Sequence, residues 1–309
     1  MIYFLSSFFA LIFFCQSSYG SFKNPFSVSP ELNPNRPRDF IFPPIESFFL
    51  PGFDQYLEHQ TPYGLTYSGI YIVGFSIEKG SPDYRKFSNF HERLDCFRVS
   101  TLGNQFRLLS GQLSLYHSFR TAVESRKKQG EFSFLKYSET PQELALAPFQ
   151  LKYLTSPYTY LGIPGLMIMG GLIEAMKRNH FHYHIKDFKT PTSTDVTFSG
   201  VISFNAGVGE EAFFRGWIMP VTMYYSQNEW VSNAITSLAF GIAHFGWDSM
   251  PISQTIGGFY LGYVSQVNQW TLGESIFIHT WYDVAAFLFL FSTSRFNSEF
   301  KLSPITIPF

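Results

Sequence analysis

The sequence predicts an all-α fold: a polytopic membrane helical bundle, preceded by an N-terminal leader and a partly polar N-terminal helical region. Three observations predict it. Aromatic residues make up 19% of the 309 and charged residues only 15%, against roughly 25% charged in an ordinary soluble domain. Apolar stretches of helical length recur through the second half, at 158–176, 196–225, 231–245, 252–267 and 275–291. Ionisable side chains lie inside those stretches, where they are costly unless they serve something. Mean hydropathy is only +0.01 because a polar portion, 76–150, is averaged with an apolar one, so windows matter more than the mean. A formal net charge of -1 gives no reason to expect a nucleic-acid partner.

Taken in order, residues 1–20 hold the apolar run 8–14 followed by Ser18-Tyr19-Gly20, small residues placed as a signal peptidase requires. A signal peptide ending near Gly20 is expected. Cys15 falls within it, so Cys96 is left alone and no internal disulfide forms. Residues 21–44, rich in proline, asparagine and serine, form an extended lead-in. The run Phe48-Phe49-Leu50-Pro51-Gly52-Phe53 suits a short membrane-entering turn, and 63–77 suits a spanning helix or a buried soluble one.

Residues 78–107 are charged and loop-like. From 106 to 128 the pattern is helical, with Leu109, Leu113, Tyr116 and Ala122 on one side and Arg126-Lys127-Lys128 at its end, as in an interfacial or cytoplasm-facing helix. The stretch 158–176 is a further spanning candidate, broken by Pro164 and closed by Lys177 and Arg178, with Glu174 as an interfacial charge. His180, His182 and His184 fall in a surface loop. Several of the later segments are shorter than the ~20 residues of a plain span, which implies tilt or burial in a bundle. All five tryptophans fall among them, three at predicted helix ends where an aromatic belt would sit. The expected organisation is therefore a signal peptide (1–20), a lead-in and accessory helical region (21–150), a membrane helical domain (151–295) and a C-terminal tail (296–309).

The chemistry concentrates in the apolar helices. Glu211 and Arg215, four residues apart, share a helical face and can pair, which turns Glu210 elsewhere. A carboxylate held in an apolar, partly dry cleft is suited to take a proton from water, which makes Glu210 the candidate general base. His244, on another helix, could orient the same water and later protonate a leaving amine. Phe240, one turn earlier, would wall the pocket. His279 and Asp283 again share a face. They could donate to the oxyanion of a tetrahedral intermediate, or bind a divalent metal together with Glu210 and His244, and the residues alone leave both open.

The pattern Glu210-Glu211-x-x-x-Arg215, Phe240-x-x-x-His244 and His279-x-x-x-Asp283 resembles that of the CPBP intramembrane protease family, which includes the type 2 CAAX prenyl proteases and bacterial relatives linked to bacteriocin processing and immunity. The resemblance covers about the last half of the chain. It implies an all-α membrane fold in which water, activated at the position of Glu210 with help from that of His244, attacks a peptide bond. His279 and Asp283 would steady the oxyanion. Asp283 stands where the prenyl proteases carry asparagine, and an ionised aspartate cannot donate a hydrogen bond. It must be protonated, orient His279, or bind metal.

The function expected on these grounds is intramembrane endopeptidase activity on a peptide or protein substrate, with membrane lipid as surroundings. It needs either no cofactor or a divalent metal such as zinc. A secretory-type leader sits uneasily with prenylated substrates and favours a bacterial cell envelope. The competing readings are a noncatalytic scaffold or immunity-type binder of the same fold, and an ion or proton pathway built from the same carboxylates and histidines.

Overall fold

The computed structural model describes residues 38–83, 86–178, 189–244 and 252–292. The leader, most of the lead-in, the three alternating histidines, Trp247 and the C-terminal tail lie outside the described residues. Every regular element among those described is helical, as the composition implied. In order they are α1 (Phe42–Phe49), α2 (Phe53–Leu57), α3 (Thr61–Gly80), α4 (Phe90–Lys127) and α5 (Pro141–Leu146), then two 3-10 turns, Ala147–Phe149 and Leu151–Thr155. They are followed by α6 (Pro157–Arg178), α7 (Ser193–Phe213), a π-helical turn (Phe214–Ile218), α8 (Met219–Ser226), α9 (Glu229–Ala243), α10 (Ile252–Val267) and α11 (Gly273–Ser292).

Local chemistry sets the helix starts. Thr192 and Asp195 form a capping box at α7, Thr140 and Glu143 another at α5, and the Asn89 and Asn228 side chains cap α4 and α9. The α4 cap corrects the sequence reading of 78–107 as loop. Helix begins at Phe90, and the charges that suggested a loop lie along its flank, where Arg98 pairs with Asp95 and with Asp195 of α7. The stretch 106–128 is more enclosed than a helix with one apolar side would be. Leu108, Leu109, Leu113, Leu115, Tyr116 and Phe119 are all buried, so protein encloses this stretch on most sides.

Two packing relations position everything else. Helices α4 and α7 run parallel: Arg98 meets Asp195, and Gln112 meets Gly209, both at an offset of 97 residues. Leu109, Leu113 and Tyr116 of α4 pack there with Val208 and Ala212 of α7 and with Leu272 and Ile276 around the start of α11. Helix α11 runs antiparallel to α7, with His279 against Glu211, Thr280 against Gly207 and Phe291 against Phe198. On the other side α3 crosses α4 at two facing glycines. A Cβ on Gly103 would lie 2.5 Å from the Glu78 backbone nitrogen and 2.7 Å from the Gly74 carbonyl oxygen, so only glycine permits this approach.

Among the described residues one helix, α11, is long and apolar enough to cross a membrane by length and composition. The other expected spans are present as helices but do not meet that test by themselves.

Gly103→Ala is expected to lower stability by about 1–3 kcal/mol through overpacking. Gly69→Ala on α3, where a Cβ meets open space, is expected to cost nothing, since alanine is the better helix former. Thermal unfolding of the two variants in detergent checks the contrast.

Candidate active site

Three helices and the π-turn bring the motif residues together. The turn matters locally, because the π-helical stretch Phe214–Ile218 widens the helix immediately after the carboxylate pair, while the Phe214 N–H is shared between the carbonyls of Glu210 and Glu211. Such single wide turns are rare in helices and concentrate at functional sites.

Glu211 and Arg215 are fully buried and paired at 2.8 Å. Arg215 also donates from Nη2 to the Gly258 carbonyl of α10 at 2.7 Å, and its guanidinium lies over the Phe240 ring of α9, 4.5 Å from the centroid. The same oxygen of Glu211 that binds Arg215 lies 2.8 Å from Nδ1 of His279 on α11. A carboxylate paired with arginine only accepts, so this Nδ1 carries the proton and His279 turns Nε2 outward. His244 is fixed in a parallel way: its Nδ1 is 2.8 Å from the Phe240 carbonyl oxygen, which can only accept, leaving Nε2 outward as well.

Both outward nitrogens face Glu210. Its Oε2 is 3.8 Å from His244 Nε2 and 3.9 Å from His279 Nε2, beyond direct hydrogen-bond length, and it has no hydrogen-bond partner. Asp283 Oδ2 is 3.6 Å from His279 Nε2. The Phe240 ring sits 4.6 Å from that of His244 and 5.8 Å from that of His279. Glu210, His244, His279, Asp283 and Phe240 all line one cavity of about 290 Å³. Glu211 and Arg215 lie behind its wall and are absent from its lining.

Glycine backing makes the arrangement possible. A Cβ on Gly209 would sit 2.1 Å from Oε1 of Gln112, and one on Gly258 would sit 3.1 Å from Arg215 Nη2 and from the Phe240 ring. Helix α11 is pinned at its start from outside the motifs. The Glu139 carboxylate, in the segment before α5, accepts the N–H groups of Leu272 and Gly273 and so serves as a helix cap. Burial pushes its carboxyl above the usual range, while those two N–H groups pull the other way.

As a metal cradle, the four candidate ligands fall short. No group of three or more His, Cys, Asp or Glu is arranged to hold an ion among the described residues, although an Nδ1 engaged by a protein oxygen with Nε2 turned outward is also the posture of a metal-binding histidine. The donor types would suit zinc, but this arrangement gives no ground for routing a step through one.

Sequence reasoning missed the cavity's other walls. Gln105, Leu108 and Gln112 come from α4, Leu166 and Met169 from α6, Phe48 from α1 and Tyr282 from α11. Two glutamines seven residues apart, set among Leu108, Leu109 and Leu113, were the available sign that the α4 face borders something polar.

The helical bundle thus turns two carboxylates and two imidazoles, those of Glu210, Asp283, His244 and His279, onto one cavity wall. Residues 192–285 match the family model described as type II CAAX prenyl endopeptidase Rce1-like. That segment is thus similar to the family its motifs resemble, and the match begins at the capping threonine of α7 and ends just past Asp283. Comparison with curated proteins and with solved structures gives no match.

Breaking the buried pair with Arg215→Met is expected to cost about 3–5 kcal/mol, because it strands the Glu211 charge. The double substitution Glu211→Leu, Arg215→Met is expected to cost less than the single one, as read by thermal unfolding in detergent.

Proposed function

We propose that the chain is an intramembrane endopeptidase in which Glu210 activates the attacking water. The observation that carries this reading is the contrast between two adjacent carboxylates. Glu211 is spent on Arg215 and His279, whereas Glu210 faces the cavity with an unpartnered oxygen and two imidazole nitrogens at 3.8 and 3.9 Å. A water held between Glu210 and His244 gives its proton to Glu210 as its oxygen bonds to the peptide carbonyl carbon. The resulting oxyanion is held by Nε2–H of His279 in its doubly protonated form and by Asp283 in its protonated form. Collapse of that intermediate breaks the C–N bond, and the departing nitrogen takes up the proton that Glu210 received, passed on by His244.

Placement within lipid is supported by the outer surfaces of the helices as well as by α11. Leu65 and Ile72 on α3, Leu161 and Ile168 on α6, and Leu238 and Ile242 on α9 are each more than half exposed. Apolar side chains in such numbers on helix flanks fit a hydrocarbon surround. The family description names CAAX prenyl substrates. For this chain the reading is the broader one, a membrane-associated peptide, with a bacterial envelope as the proposed setting.

Glu210→Gln and His244→Ala are expected to lower cleavage of a peptide library, with prenylated and unprenylated members, by about 10²–10⁴-fold, and the native activity to survive chelator. Activity lost on chelation and restored by zinc would replace this mechanism with a metal-dependent one. Full activity in Glu210→Gln would end the reading.

Asp283→Asn, which keeps a hydrogen-bond donor, is expected to stay within about tenfold of the native rate and to remove one titrating group from its pH profile. Asp283→Ala is expected to lose about 10²–10³-fold. Paired pH–rate profiles separate the two.

A further inference from the structure

We propose that α4 supplies a binding rail for the substrate backbone, formed by Gln105 and Gln112, alongside the reacting groups. The proposal rests on the endopeptidase reading. It starts from the shape of the cavity. With α4 and α7 parallel at an offset of 97 residues, Gln112 lies level with Gly209, beside Glu210, and Gln105 lies two turns back, level with Ile202. Ile202 lines the cavity, as do Phe287 and Leu290 beyond Asp283 on antiparallel α11. The cavity therefore has an end holding Glu210, His279 and Asp283, and an apolar arm leading away from it.

Gln105 is the polar side chain that α4 places in that arm. It is 6% exposed, so more than nine-tenths buried, and lines the cavity. Neither it nor Gln112 has a hydrogen-bond partner among the described residues. Neither amide is among the fully enclosed polar atoms that lack a partner, so both keep surface open to the cavity they line. An apolar wall with a few placed polar groups is how a ligand site fixes orientation. A side-chain amide offers one acceptor and two donors, the complement of a peptide backbone and of little use to a purely hydrocarbon ligand. Seven residues of helix separate the two amides by about 10.5 Å along the axis, the length of about three residues of extended chain. The ligand class is thus an extended peptide, gripped through its main chain, with apolar side chains or an apolar attachment filling the rest of the arm.

The test uses the full chain in detergent and one peptide that the native chain cleaves, taken from the library above. Gln105→Leu is expected to raise KM about fivefold to tenfold, the net worth of one hydrogen bond, with the loss falling on KM and not on kcat. Gln105→Met, of the same length and lacking the amide, is expected to do the same, and guards against a folding defect in the first variant. A series of the peptide with single backbone amides replaced by esters supplies a readout that a merely structural role would not move. One ester is expected to weaken the native chain by a similar factor and to cost the Gln105 variants nothing further. Unchanged KM in both variants, or ester penalties equal in native and variant chains, overturns the rail while leaving the endopeptidase reading intact. A native chain that cleaves no library member removes that reading, and the rail with it.

Discussion

The buried Arg215 guanidinium is the constraint on which the remainder of the site depends. A charge with no exposed surface must be met by protein groups, and, although Nε has no partner, Nη1, Nη2 and the guanidinium face are met from separate helices: Glu211 from α7, the Gly258 carbonyl from α10 and the Phe240 ring from α9. Glu211 then passes the constraint to α11 by fixing the tautomer of His279. The glycine at 258 and the π-turn at 214–218 are the backbone adjustments that let an arginine of this size be enclosed. Because Arg215 consumes one carboxylate of the Glu-Glu pair, the other is left to face the cavity.

Helix α11 is held at two heights. Glu139 fixes its first turn, and the side chain of Glu211 meets it nearly two turns further on. Between them, Ser275, Ile276, Phe277 and Ile278 are all buried, so neither the rotation nor the height of the helix is free. This double anchoring explains how His279 and Asp283 keep their spacing from Glu210 on a helix whose later half is less enclosed by protein.

Much of the arrangement could be read in the sequence, and for a physical reason. Residues three or four apart on a helix share a face, so Glu211 with Arg215, Phe240 with His244 and His279 with Asp283 were legible as pairs before any tertiary relation was known. What united the pairs was the order of the three motifs and not any property of one. The course of α4 was not legible. Its first turns carry Glu92, Arg93, Asp95 and Arg98, which read as loop because the acid that receives Arg98, Asp195, lies 97 residues away. Nor was its burial, since a helix with Arg126 and Lys127 at its end looks interfacial until its polar face is seen to meet α3 and α7. Glu139 was invisible for the same reason: a lone acid in a polar segment gives no hint that it caps a helix 133 residues downstream.

Helix α4 lies outside the stretch that carries the three motifs, yet it forms a wall of the cavity they face. The motif groups and the compartment around them are thus encoded in separate tracts of the chain. A substitution on α4 can reshape the compartment while every motif residue stays as it is, so the two tracts can vary independently.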